Sequence, residues 1–166
     1  MKIIGIDAST NCTGIAVFQD GEYIAHTLID LHKIKDPDKR IPKMMIEICK
    51  CIKEYGADKI IMEKSMLKSN IDTVQKLSNI AGAIMFYATT KSIEFQHVYP
   101  TEWRKRVGLQ QSSKIKREIL KEEAIQAVKQ EYNLNVKDDE AEAILIARSG
   151  FDLPQIIIEK DDIWEI

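Results

Sequence analysis

Hydrophobic positions in this 166-residue chain change their period several times, and each change marks a predicted element. Ile3, Ile4 and Ile6 form a β-branched run that stops on Asp7. Asn11, Thr13 and Gly14 supply a turn, and Gly14 to Phe18 reads as a returning strand. Glu22 to Asp30 alternates loosely after the turn pair Asp20-Gly21. These stretches predict an antiparallel meander with strands near 2–7, 13–18 and 22–30.

The period then lengthens. After a loop at Asp36-Pro37-Asp38, Ile41, Met45, Ile48, Ile52 and Tyr55 recur at helical spacing, and Gly56 ends that helix. Lys59 to Glu63 is a short buried strand that again stops on an acid. Asn70 or Asp72 caps a helix carrying Val74, Leu77, Ile80, Ile84 and Met85. From Ile80 to Ala88 that helix is apolar on nearly every side, as expected of one sandwiched in a core or shared with a second subunit. Ile93 to Tyr99 is a fifth strand, closed by Pro100. Thr101 starts a short helix through Trp103. Ser112 or Ser113 caps a longer one, with Ile115, Ile119, Ala124 and Val128 inward. Asp138 or Asp139 caps a last helix ending near Gly150. The tail mixes Ile156-Ile157-Ile158 with Glu159, Asp161, Asp162 and Glu165, and fits a strand or a frayed end equally.

The order predicts an α/β fold: a mixed five-stranded sheet, three antiparallel strands and then two parallel, flanked by helices. The strand ending at Glu63 then lies beside, and parallel to, the strand ending at Asp7. Residues 1–150 read as one domain and 151–166 as a tail.

Composition narrows the class only slightly. The apolar and charged fractions are those of an ordinary water-soluble domain. No apolar run is long enough to span a bilayer, and the N-terminal stretch, broken by Asp7, does not read as a signal peptide. Cys12, Cys49 and Cys51 form no Cys-x-x-Cys pair, which predicts free thiols in a reducing, cytoplasmic compartment. The net charge of -2 hides local positive stretches. Lys33, Lys35, Lys39, Arg40 and Lys43 form one. Arg104, Lys105, Arg106, Lys114, Lys116, Arg117 and Lys121 form a cleaner second. Such a distribution suits a protein that meets phosphates and also carries cation-binding acids.

The acids supply the candidate chemistry. A carboxylate at the end of a buried strand is costly unless paired or holding a cation. Asp7 and Glu63 both stand at such ends. Asp139 and Glu142 lie three apart at a helix start and share a face, with Asp138 as the alternative partner of Glu142 at i, i+4. Singly, each acid also fits a plain capping or pairing role. Together they make an oxygen-only set suited to hard divalent cations. Two such ions about 4 Å apart can clamp the attacking and leaving oxygens of a phosphodiester.

Four stretches, in order, carry a resemblance: Gly5-Ile6-Asp7-Ala8-Ser9; Ile61-Met62-Glu63-Lys64-Ser65; Tyr99-Pro100-Thr101-Glu102-Trp103-Arg104-Lys105; and Asp139 through Ala147. With them the chain resembles the RuvC-like Holliday junction resolvases of the ribonuclease H-like nuclease superfamily. The resemblance implies a homodimeric endonuclease acting on branched DNA, with two Mg2+ ions per site that Mn2+ can replace, leaving 5'-phosphate and 3'-hydroxyl ends. It places Asp7, Glu63, Asp139 and Glu142 in the acidic catalytic and metal-binding roles. Two departures stand out. Glu142 replaces the family's usual aspartate, lengthening the reach. Met66 and Leu67 stand where bacterial members often carry an aromatic junction wedge. These departures and the compact form resemble a bacteriophage branch of the family.

On this reading Lys68, Arg104, Lys105, Lys114, Lys116 and Arg117 form a DNA track, with Lys114 the first candidate to stabilise charge on the scissile phosphate. His26, His32 and His97 are expected to be structural or exposed, and Trp103 a core anchor. Three rivals remain. An actin-like or sugar-kinase ATPase also opens on a Gly-Ile-Asp strand but needs a second glycine-rich loop, and the glycines here are scattered. A junction-binding protein without nuclease activity is another. The third is a ribonuclease cutting RNA–DNA hybrids.

Overall fold

A computed structural model describes residues 1–64, 70–110, 112 and 114–158. The predicted wedge residues Met66 and Leu67, and Lys68 of the predicted track, lie outside the described residues. Five strands form one sheet in the order β3-β2-β1-β4-β5. They are β1 (Lys2–Asp7), β2 (Cys12–Gln19), β3 (Glu22–Asp30), β4 (Lys59–Glu63) and β5 (Glu94–Val98). β1 pairs antiparallel with β2 and parallel with β4. β2–β3 is antiparallel, and β4–β5 parallel. The mixed five-stranded sheet is the predicted one.

Among the described residues, five helices cover its two faces: α1 (Pro37–Tyr55), α2 (Ile71–Thr90), α3 (Pro100–Val107), α4 (Arg117–Tyr132) and α5 (Asp138–Arg148). Alternation along each strand sorts the side chains. Ile4, Ile6, Ile15, Val17, Ile60 and Met62 face α1 and α2, meeting Met44, Ile48, Ile80 and Ile84. Ile3, Ala16, Phe18 and Ile61 face the other way, toward Trp103, Ala124, Ile144 and Ala147 of α3, α4 and α5. Asp7 continues the parity of Ile3 and Gly5, and Glu63 that of Ile61. Both acids therefore belong to the α5 side of the sheet.

α5 sits unusually close to the strands, and two glycines make that possible. A Cβ on Gly5 would stand 2.4 Å from the Ala143 carbonyl oxygen, and one on Gly14 would stand 2.0 Å from that of Asp139. Gly14 is also the register partner of Asp7 across β1–β2. Gly14 lets the first turn of α5 settle over the end of β1, and Gly5 lets the middle of the helix follow.

Helix boundaries differ from the sequence reading where local capping decides. Asp36-Pro37-Asp38 opens α1 rather than looping: the Asp36 carboxylate accepts from the Asp38 amide at 3.0 Å and Pro37 occupies the first turn. α3 runs past Trp103 to Val107, because it ends only where Gly108 takes a left-handed φ of 93°. α4 starts at Arg117, with Lys116 at the cap position, and not at a serine. The Ser112 hydroxyl instead accepts from the Lys114 amide at 3.2 Å, and Ser113 lies outside the described residues. Lys137, rather than Asp138 or Asp139, holds the cap position of α5. Residues 151–158 form no strand, yet Ile156 is buried and its amide donates to the Val107 carbonyl at 2.8 Å. Among the described residues no helix is long and apolar enough to cross a membrane.

Candidate active site

The C-terminal ends of β1 and β4 and the first turn of α5 meet at one edge of the sheet. Parallel pairing sets Ile6 beside Met62, so Asp7 and Glu63 emerge side by side. The α5 turn adds Asp139 and Glu142 from above. All four carboxylates are half-buried. Burial pushes Asp7 far above the usual carboxylate range, and Glu142, Glu63 and Asp139 push it further; only Arg117 opposes them. Burial and Glu142 raise Glu63 to about 7, against the pull of Trp103, Arg104 and Arg117. Burial also raises Asp139 and Glu142. These groups feel each other's charge, so the acids that sequence order kept far apart form one electrostatic set.

Asp138 behaves differently. Burial works against its charge, but its carboxylate pairs with Lys121, and that partner brings its pKa below the usual range. Asp139 registers at Asp7, and the nearby Cys12 thiol partly offsets the rise that burial gives Asp139. Burial pushes that thiol up to about 12, so it stays protonated and able to donate. Of the two neighbours, Asp139 faces the strand-end acids.

Among the described residues, no three carboxylates, imidazoles or thiols already stand at the spacing that closes on one ion. Glu63 accepts from the Trp103 indole Nε1 at 2.6 Å, and Glu142 Oε1 lies 3.7 Å from Arg104 Nη1. The donor set nonetheless fits a hard divalent cation: it is made of carboxylates alone, burial disfavours the ionised form of each, and neighbouring acids add to that at Asp7 and Glu63.

Arg104 requires a correction. It was expected on an exposed DNA track, but it is buried in the protein. Its Nε donates to the Gln110 carbonyl at 2.8 Å, and its Nη2 donates to the Leu120 carbonyl at 3.0 Å and to Glu123. A guanidinium with those partners is a structural tie between α3 and α4. Lys105, Lys114, Lys116 and Arg117 are exposed. Arg117, rather than Lys114, is the basic group whose charge registers at Asp7, Glu63, Asp139 and Glu142. His26 contacts Tyr23 and Glu140 and is structural. Trp103 is the expected core anchor, but its link to Glu63 had no sequence signal beyond the need of a buried indole N–H for an acceptor.

The family described as "Crossover junction endodeoxyribonuclease RuvC" matches residues 3–147. The chain belongs to the RuvC family. Among RuvC proteins, that of Thermotoga petrophila is 25% identical over 154 residues, covering 89% of this chain and 90% of its own. That of Bdellovibrio bacteriovorus is 29% identical over 104 residues, covering 58% of this chain and 60% of its own length. The structure of T. thermophilus RuvC in complex with Holliday junction substrate superposes with a TM-score of 0.70 at 14% identity, over 90% of this chain and 92% of that one. At that identity the likeness speaks for the fold. The matched RuvC span includes all four acids of the cup.

Proposed function

We propose that this chain is a divalent-cation-dependent endonuclease that resolves Holliday junctions and related branched DNA in the cytoplasm. The observation that carries the reading is the meeting of Asp7, Glu63, Asp139 and Glu142 at one sheet edge within a RuvC-family chain, each with its ionised form disfavoured. These four residues would hold Mg2+, or Mn2+ in its place. When bound, two such ions supply an activated water and stabilise the leaving oxygen of the phosphodiester.

The protein's own groups do the rest. Asp7 and Glu63, fixed by strand pairing, set the floor of the cup, and α5 brings Asp139 and Glu142 over it. Arg117 offers its guanidinium to the scissile phosphate, where developing negative charge gains most. Lys105, Lys114 and Lys116 hold the neighbouring backbone by charge, which makes binding steeply salt-dependent. A four-way junction has two-fold symmetry, and paired incisions call for two symmetric sites. The exposed Met85 and Phe86 of α2 are the proposed homodimer contact.

The test is cleavage of labelled four-way, three-way, flap and hybrid substrates with Mg2+ or Mn2+. Symmetric nicking of branched DNA with little hybrid cleavage is expected. Asp7→Asn should abolish cutting yet still shift a junction in a gel. Normal cutting by Asp7→Asn, or preference for the hybrid, overturns the reading.

A further inference from the structure

α3 is pinned at both ends. Pro100 opens it, and the Glu102 carboxylate accepts from the Tyr99 amide at 2.9 Å. Gly108 closes it, and residues 155–156 fasten its last turn, with Gln155 Nε2 donating to the Lys105 carbonyl at 2.9 Å and the Ile156 amide to the Val107 carbonyl. Trp103 lies within this fixed helix and is fully enclosed, at 0% exposure. Its ring packs in the core formed by Val98, Val107, Ala141 and Leu145.

One atom of that ring does something other than pack. The indole Nε1–H donates to Glu63 Oε2 at 2.6 Å. An indole N–H is a donor only, and in a buried ring its direction is set by the packing around it. Glu63 otherwise has a free side chain of three torsions at the floor of the cup, with Glu142 repelling it. A glutamate so placed would turn outward to water. The helix thus supplies a fixed point that selects one carboxylate orientation, and leaves Oε1 for another partner.

We infer that Trp103 is a positioning residue for Glu63: its indole N–H fixes one carboxylate oxygen before any ion arrives and leaves the other for the ion. The inference rests on the cation-dependent reading above. Ligands oriented by a neighbouring hydrogen bond bind their ion about 10–100 times more tightly than ligands left loose.

Trp103→Phe tests it, keeping an aromatic ring and deleting the donor. Mn2+ binding to the DNA-free protein is measured by titration calorimetry, and nicking of a four-way junction is followed against Mn2+ concentration. The expected result is a Kd for Mn2+ raised about tenfold or more. Half-maximal nicking should need correspondingly more Mn2+, with junction binding in metal-free buffer unchanged. Glu63→Asp provides the control, because the shorter acid falls short of the indole; adding Trp103→Phe to it should change Mn2+ affinity no further. Wild-type Mn2+ affinity in Trp103→Phe, or an equal loss on top of Glu63→Asp, overturns the inference. Should wild type and Asp7→Asn both fail to bind Mn2+, the cation-dependent reading itself falls and takes this one with it. A second measurement avoids disturbing the ring. The chain has two tryptophans, so Trp164→Phe leaves a single indole N–H proton resonance. That resonance should move on Mg2+ addition with the midpoint of Mg2+ binding; a resonance that stays still refutes the contact.

Discussion

Glu63→Gln isolates the electrostatics of the acid cup, because the amide oxygen can still accept from Trp103 while the charge is gone. In the folded chain burial and Glu142 hold Glu63 at about 7, against an ordinary 4.5. The folded state therefore binds a proton more tightly than the unfolded state does. In the absence of divalent cations, wild-type stability should fall as pH rises from about 4.5 to about 7, and level off above that. At about 1.4 kcal/mol per pH unit, this one group is worth roughly 3 kcal/mol. For a chain of this size that is a melting shift of about 6–12 °C. Solvent at the mouth of the cup makes this an upper figure. The glutamine variant lacks the penalty. In EDTA the two proteins should melt together near pH 4, and Glu63→Gln should melt higher by several degrees near pH 8. Millimolar Mg2+ should raise the wild-type melting point near pH 8 and close the gap, because a bound cation stabilises the ionised acids by mass action. Thermal melts across pH, with and without Mg2+, read all of this. A wild type that in EDTA is as stable as Glu63→Gln near pH 8 would refute the electrostatic account of the cup.

Other substitutions probe separate parts. Gly14→Ala places a methyl against the Asp139 carbonyl, so α5 must lift; we expect a loss of about 1–3 kcal/mol in chemical denaturation and a larger loss of nicking. Arg104→Met leaves Glu123 buried without its cation and should lower stability by about 3–5 kcal/mol, with much of that restored by adding Glu123→Gln. Asp139→Asn should abolish nicking, whereas Asp138→Asn, which loses only the Lys121 pair, should keep most of it; the reverse order would move the ligand to Asp138. Arg117→Ala should slow nicking at saturating DNA far more than it weakens junction binding, whereas Lys116→Ala should chiefly lower affinity and flatten its salt dependence, as gel shifts over a salt series would show.

The sheet was legible from the sequence because its strands announce themselves twice, by β-branched runs and by the acids or turn pairs that stop them. The pairing of β1 with β4 followed from order alone, and with it the nearness of Asp7 and Glu63. The starts of α4 and α5 were misread, since serine and aspartate are good caps in general while here lysines hold the position and the Ser112 hydroxyl accepts from the Lys114 amide. Arg104 shows the limit more sharply. Its neighbours Lys105 and Arg106 are exposed, and charge counting treats the three alike. Only the helical phase of α3, turned so that Trp103 and Val107 face the core, decides that the guanidinium goes inward to Glu123. Likewise the separation of roles between Asp138 and Asp139 depends on Lys121 of α4, a partner seventeen residues away that no local pattern identifies.

The stretch from Phe151 to Ile158 has a practical consequence for anyone who would graft this nuclease onto another protein. It clasps two helices behind the acids, α3 through Val107 and Lys105 and α4 through Gln130, so a fusion junction placed at Gly150, where regular structure stops, would unfasten the wall behind the acid cup. The seam belongs beyond Ile158.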